Sequence, residues 1–97
     1  MEFEWDENKN RENQRKHEIS FEEAKLIFEG IYFTRIDPRD YGLEIREISI
    51  GSIGGGVVLI IVHAQRDGKT RIISARKATK KERRRFYAAF RGFKGTS

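Results

Sequence analysis

Val57-Val-Leu-Ile-Ile-Val62 runs directly into His63-Ala-Gln-Arg-Asp67-Gly68-Lys69-Thr-Arg-Ile-Ile-Ser-Ala75. This stretch decides the architecture. An unbroken run of β-branched residues and Leu suits a central strand buried on both faces. Asp-Gly is a strong short-range hairpin signal, because a tight two-residue loop wants positive φ at both central positions. Lys69–Ala75 then forms the returning strand. With Arg66 facing Lys69, His63 lies opposite Ile72, Ile61 opposite Ser74 and Leu59 opposite Arg76. Strand side chains alternate, so this register predicts His63, Ser74 and Arg76 on one face. Arg71, opposite Ala64, goes to the other face or to a twisted edge near the turn. A bulge would break the pairing.

Upstream, Gly54-Gly55-Gly56 reads as a tight connection rather than a phosphate loop, since no Lys-Ser/Thr opens a helix after it. Between Leu43 and Ser52 the apolar residues switch from odd to even positions, which predicts a strand that changes face midway, or a bulge near Glu47. Asp37-Pro38-Arg39-Asp40 is turn chemistry, and Ile31–Ile36 is β-branched and aromatic enough to be a strand. Ser20-x-x-Glu23 is a capping box opening a helix, in which Ala24, Ile27 and Phe28 supply most of the buried stripe and Gly30 the stop. Asp6 caps an earlier helix over 7–17 that is polar almost throughout, so it must be held by its ends, through Trp5 on one side and Ile19 and Phe21 on the other. Phe3 and Trp5 alternate with acids as in a short first strand.

Downstream, Thr79 and Glu82 make a second capping box. A last helix runs from Lys80 to about Arg91 with Phe86, Ala89, Phe90 and Phe93 inward, while Gly92, Gly95, Thr96 and Ser97 fray. The expected fold class is therefore α+β: a small, mainly antiparallel sheet with two N-terminal helices and one C-terminal helix.

The 97 residues make one domain, 1–97, with room for one modest core and no separate catalytic lobe. Seven Phe, three Tyr and one Trp exclude disorder throughout. Cysteine is absent, which excludes a disulfide scaffold, a thiolate nucleophile and thiolate-bound zinc. No stretch is apolar enough to span a membrane and the acidic N-terminus is no signal peptide, so a cytoplasmic location is expected. Net charge is +5, but unevenly spread: residues 1–65 hold eight Lys/Arg against thirteen Asp/Glu, and residues 66–97 hold twelve against two. Such segregation projects a field that attracts a polyanion.

Several residues stand out within that basic segment. Buried Arg without a partner is very costly, so Arg76 and His63 on inner strands call for either internal pairing, with Glu44 or Glu47 as acids, or an anion site. Arg76, Lys77, Lys80 and Lys81 crowd the positive end of the last helix, where the dipole opposes them unless an anion binds. Arg83, Arg84 and Arg85 extend the patch in different directions. Asn13 and His17 lie one helical turn apart with Lys16 beside them, on a helix free to turn these residues toward a groove. Metal-dependent nuclease chemistry would need the carboxylates Asp37, Asp40, Glu44 and Glu47 clustered, which a turn does not favour, so no metal or cofactor is expected. A triad from Ser74 and His63 lacks a nucleophile elbow.

Two long motifs then become specific. Trp5-Asp6-x-x-Lys9-x-x-x-Asn13-x-x-Lys16-His17-x-Ile19-Ser20-Phe21-Glu22-Glu23-Ala24 resembles the N-terminal signature of BrnT toxins. Arg71-Ile72-Ile73-Ser74-Ala75-Arg76-Lys77-Ala78-Thr79-x-x-Glu82-Arg83-x-x-x-Tyr87 resembles a second signature of the same family. The resemblance implies a RelE-like fold and a type II toxin that arrests growth by metal-independent RNA cleavage. It also implies a BrnA-type antitoxin with a ribbon-helix-helix part, through which the complex would reach operator DNA. One departure is Glu18, where families of this kind often have Gly. A left-handed helix end there would cost about 1 kcal/mol.

For such a reaction, in which the 2′-hydroxyl attacks the adjacent phosphorus, Arg76 and Arg71 suit phosphate stabilisation. His63 is the first candidate for proton transfer and His17 the second. Lys16 neutralises charge, and Tyr87 stacks on a base or donates a proton. Lys77, Lys80, Lys81, Arg84 and Asn13 are the expected RNA contacts. The alternative is a non-catalytic basic module that holds nucleic acid or antitoxin.

Overall fold

The computed structural model describes residues 1–94, and the side chains of residues 1–92. Its elements are β1 (Phe3–Glu4), α1 (Glu7–His17), α2 (Phe21–Ala24), a 3-10 helix (Lys25–Glu29), β2 (Tyr32–Ile36), β3 (Arg46–Gly54), β4 (Val57–Arg66), β5 (Lys69–Lys77) and α3 (Lys80–Lys94). The five strands form one sheet in the order β1-β5-β4-β3-β2. All neighbours are antiparallel except β1, which runs parallel to β5 through Phe3↔Thr70 and Glu4↔Arg71. The α+β expectation stands, with the sheet mixed at that one edge.

Local chemistry accounts for the element ends. Asp6 accepts from the backbone N–H groups of Asn8 and Lys9 and starts α1. Glu18 ends α1 in the left-handed region, with φ 60°, and donates its N–H to Gln14. Ser20 and Glu23 form the expected reciprocal capping box of α2. The helix then tightens into the 3-10 form as it passes over the sheet. There Ile27 is fully buried above Gly51, where an added Cβ would lie 2.9 Å from the Ile27 Cβ and 3.1 Å from the Tyr32 Cβ. Any larger residue at position 51 would lift this segment off β3. Asp67 and Gly68, with φ 51° and 79°, make the tight turn expected between β4 and β5.

Both faces of the sheet are covered. On one, Ile19, Phe21, Ala24 and Ile27 pack onto Leu59, Ile61, Ile72 and Ala75. On the other, Val58, Ala78 and Phe86 are joined by Phe33, Ile50 and Ile60. The polar helix α1 is held to the edge of β5 by Asn13. Its side-chain amide donates to the Ala75 carbonyl at 2.8 Å and to the Ile19 carbonyl at 2.9 Å, and its oxygen accepts the Ala75 N–H at 3.1 Å. This amide satisfies backbone groups that β1, which pairs only as far as Arg71, does not reach.

Three local expectations are corrected. β3 begins at Arg46, so Leu43 and Ile45 lie outside it and are exposed; the strand keeps one alternation, and its bulge falls between Ser52 and Gly54 rather than near Glu47. Ala89 is exposed rather than inward. β5 is interrupted between Ile72 and Ser74, leaving Ile73 without a partner: His63 pairs with Ile72, but Val62 pairs with Ser74 and Ile60 with Arg76. The proposed inward Phe93 and frayed Gly95, Thr96 and Ser97 lie outside the described residues and side chains.

Candidate functional site

The bulge at Ile73 redistributes the polar residues of the hairpin. His63 shares a face with Ile61 and Leu59, toward the N-terminal helices, whereas Ser74 and Arg76 align with Val62 and Ile60 on the opposite face. The expectation that His63, Ser74 and Arg76 share one face is therefore wrong, because one extra residue reverses the alternation of β5.

His63 sits in the core, 5% exposed. Its Nε2 is 2.7 Å from the Ser49 hydroxyl, which in turn is 2.7 Å from the Thr34 hydroxyl. Its ring stands edge-on to Phe28, and Nδ1 has no partner. Burial lowers the His63 pKa, against the opposing charge of Glu47, so the ring is held neutral. An unpaired Nδ1 lone pair is the cheaper arrangement, with the Nε2 hydrogen donated to Ser49.

The opposite face opens into a cleft of about 710 Å³ between the sheet, the 37–39 turn and α3. Its floor is apolar, from Phe33, Ile48, Ile50, Ile60, Val62 and Phe86. Ser74, Arg76, Arg35, Arg39 and Arg85 line it with two acids, Asp37 and Glu82. Arg76 presents both terminal nitrogens to Glu82, at 2.8 and 2.9 Å. Glu82 also accepts the Thr79 N–H, while the Thr79 hydroxyl accepts the Glu82 N–H, completing the expected capping box of α3. The Arg76 guanidinium, with Thr79 assisting, draws the Glu82 carboxyl down to about 2, and Glu82 raises Arg76. The acid that pairs with Arg76 is thus Glu82, not Glu44 or Glu47.

Across the cleft, buried Asp37 takes a forked contact from Arg39 and a 2.9 Å bond from the Tyr41 hydroxyl. These contacts hold its carboxyl well below the usual range.

None of the other expected residues lines this cleft. Arg71 is on the same face but pairs with Glu4 at 2.9 Å. Lys16 and His17 are exposed at the end of α1, one turn beyond Asn13. Asn13 is buried, with its amide committed to backbone. Lys77, Lys80, Lys81 and Arg84 are exposed at and after the start of α3. Tyr87 packs edge-on against Phe86, 5.2 Å between centroids. Sequence reasoning passed over Arg35 and Arg39 as members of a site and weighed Asp37 only as a carboxylate for metal-dependent chemistry. Their signal lay in the strand-then-turn order that carries Arg35 to the cleft face of β2 and the turn to its rim. Among the described residues no group of three or more His, Cys, Asp or Glu is placed to hold a metal, and no helix is long and apolar enough to cross a membrane.

A cationic cleft on one face of a small α+β sheet is the setting in which the comparisons with known proteins fall. Residues 5–82 match the family described as ribonuclease toxin, BrnT, of type II toxin–antitoxin system, and the chain belongs to that family. Among solved structures it is similar to the 1.1 Å crystal structure of the Brucella abortus ribonuclease toxin BrnT. The two share 22% identity at a TM-score of 0.61, over 82% of this chain and 99% of that one, a likeness of fold. No curated protein matches.

Proposed function

We propose that this chain is a metal-independent endoribonuclease, the toxin of a type II pair, acting in the cytoplasm on RNA. The observation that carries the reading is Arg76, fixed by Glu82 at the wall of an open, arginine-lined cleft in a chain of the ribonuclease-toxin family. Its neutralising partner is a BrnA-type antitoxin with a ribbon-helix-helix part, through which the complex reaches operator DNA.

The chemistry follows from what the side chains can do. The RNA 2′-oxygen attacks the adjacent phosphorus and the bond to the 5′-oxygen breaks. One proton leaves the 2′-hydroxyl and another reaches the departing oxygen. The products are a 2′,3′-cyclic phosphate and a 5′-hydroxyl. Negative charge grows on the phosphoryl oxygens, and Arg76 stabilises it with a guanidinium already held in place, at little reorganisation cost. Arg71, on the same face of β5, supports the chain further along.

Proton transfer falls to His17 rather than His63, since the His63 ring is buried on the opposite face. Lys16 and His17, exposed at the end of an α1 that Asn13 moors to the Ala75 backbone beside Arg76 in sequence, are taken as the groups that meet the RNA at that phosphate. Lys16 neutralises charge there, and Tyr87 stacks on a base beside Phe86. Lys77, Lys80, Lys81 and Arg84 carry the RNA on outside the cleft.

The test is RNA incubated with purified protein in excess EDTA. Cleavage leaving 2′,3′-cyclic or 3′-phosphate ends is expected. Salt-sensitive binding with no cleavage would leave only a non-catalytic module.

A further inference from the structure

The arginines of the cleft are not equivalent. Arg76 is committed to Glu82 and Arg39 to Asp37. Elsewhere Arg71 is paired with Glu4, and Arg46 and Arg66 both with Glu44. Arg35 on β2 and Arg85 on α3 are different. Both are exposed, both line the cleft, and among the described residues neither has a hydrogen-bond or ion-pair partner. Four arginines and two carboxylates line this cleft, and the pairings leave its surplus positive charge on these two residues.

Their placement is also particular. Arg35 lies in the row Arg35-Ile48-Val62-Ser74 across the sheet, and so belongs to the cleft face of β2. Arg85 follows Glu82 by three positions on α3, which keeps it on the helix side that carries Glu82 and Phe86 to the cleft. The two cations thus stand on the two walls, with the apolar floor of Phe33, Ile50 and Phe86 between them.

We propose that Arg35 and Arg85 form a phosphate clamp that seats a single RNA strand across the cleft, its bases on that floor and its scissile phosphate at Arg76. This rests on the reading of the cleft as the RNA site and assigns its binding energy. A paired guanidinium already has a carboxylate to satisfy it, and a phosphate gains less by approaching it. A free one meets a phosphate at full charge and releases a counterion. Arg76 then contributes mainly through the transition state, and the clamp mainly through binding.

The experiment uses a fluorescent oligoribonucleotide made uncleavable by 2′-O-methyl groups, titrated by anisotropy at several salt concentrations. Arg35→Ala, Arg85→Ala and the double variant are compared with Arg11→Ala, which removes the same charge from α1; far-UV circular dichroism confirms each fold. Each clamp variant is expected to lower the slope of log affinity against log salt by about 0.7, the double variant by about twice that, and Arg11→Ala not at all. On cleavable RNA the clamp variants should raise KM more than they lower kcat. Unchanged slopes in both clamp variants overturn the proposal. So does an equal fall in all three single variants, which would mean a diffuse field. Wild-type protein that ignores RNA would instead remove the underlying reading, and the clamp with it.

Discussion

The Glu82 carboxylate grips both terminal nitrogens of Arg76 while accepting the Thr79 N–H that opens α3. One side chain therefore starts the last helix and fixes the guanidinium. Glu82→Gln retains most of the cap, since Gln serves at this position, but gives up the counter-charge. The expected result is tighter RNA binding, read as a lower KM, together with a lower kcat, because Arg76 is no longer held. Steady-state cleavage kinetics check it.

Removing the guanidinium itself should be more severe. Arg76→Ala is expected to lower kcat about 100-fold or more, in the range seen when one charge-stabilising donor is removed. Arg76→Lys should recover little of it, since a point charge cannot replace the fork. The cleavage assay should be paired with a melting curve. Intact folding with undiminished cutting would take Arg76 out of the mechanism.

The same pair sets an acid dependence of stability. The folded Glu82 carboxyl lies near 2, below its ordinary 4.5. A depressed carboxyl stabilises the fold above its unfolded pKa and loses that contribution as pH falls through its folded value. Wild-type stability should therefore decline from about pH 4.5 downward. Arg76→Ala should show a shallower decline over that interval in urea melts.

His63 adds a second dependence, at higher pH. Burial keeps its ring neutral, so the unfolded chain takes up a proton that the folded chain refuses. Stability is full above the ordinary histidine value near 6.5 and falls as pH drops below it. His63→Gln should flatten melting temperature against pH in this interval and leave cleavage within about threefold of wild type, as expected for a residue outside the reacting site. A loss as large as that of Arg76→Ala would return His63 to the chemistry.

Glu18 offers a gain. With φ at 60° it holds a conformation that costs a side-chain-bearing residue about 1 kcal/mol. Glu18→Gly should raise stability by roughly that amount, seen as a higher urea midpoint at unchanged slope.

Much of this architecture was legible in the amino-acid order. Asp6, Ser20, Thr79 and Glu82 declare their helix starts, and Asp67-Gly68 its turn, because caps and tight turns are set by neighbouring residues. Glu18 was readable as a point of strain once the Lys16-His17 motif was recognised. What stayed hidden is long-range. Nothing local in Ile72-Ile73-Ser74 announces a bulge, since both registers bury an isoleucine, so the faces of His63 and Arg76 were misjudged together. The choice of Glu82 over Glu44 for Arg76, and the gathering of Arg35 and Asp37 at the cleft, likewise depend on packing between elements distant in sequence.

Ile73 acts as a one-residue phase change. Before it, the odd position Arg71 looks to the cleft and the even position Ile72 to the core; after it, Ser74 and Arg76 look to the cleft and Ala75 to the core. Excising residue 73 would leave plain alternation, with Ser74 and Arg76 still toward the cleft and Ala75 still in the core; forcing Ile73 into an unbroken ladder is what would drive a guanidinium among aliphatic side chains and turn Ala75 outward. The surplus residue is thus absorbed locally, and the orientation of the charged end of β5 depends on that slack being kept out of the ladder.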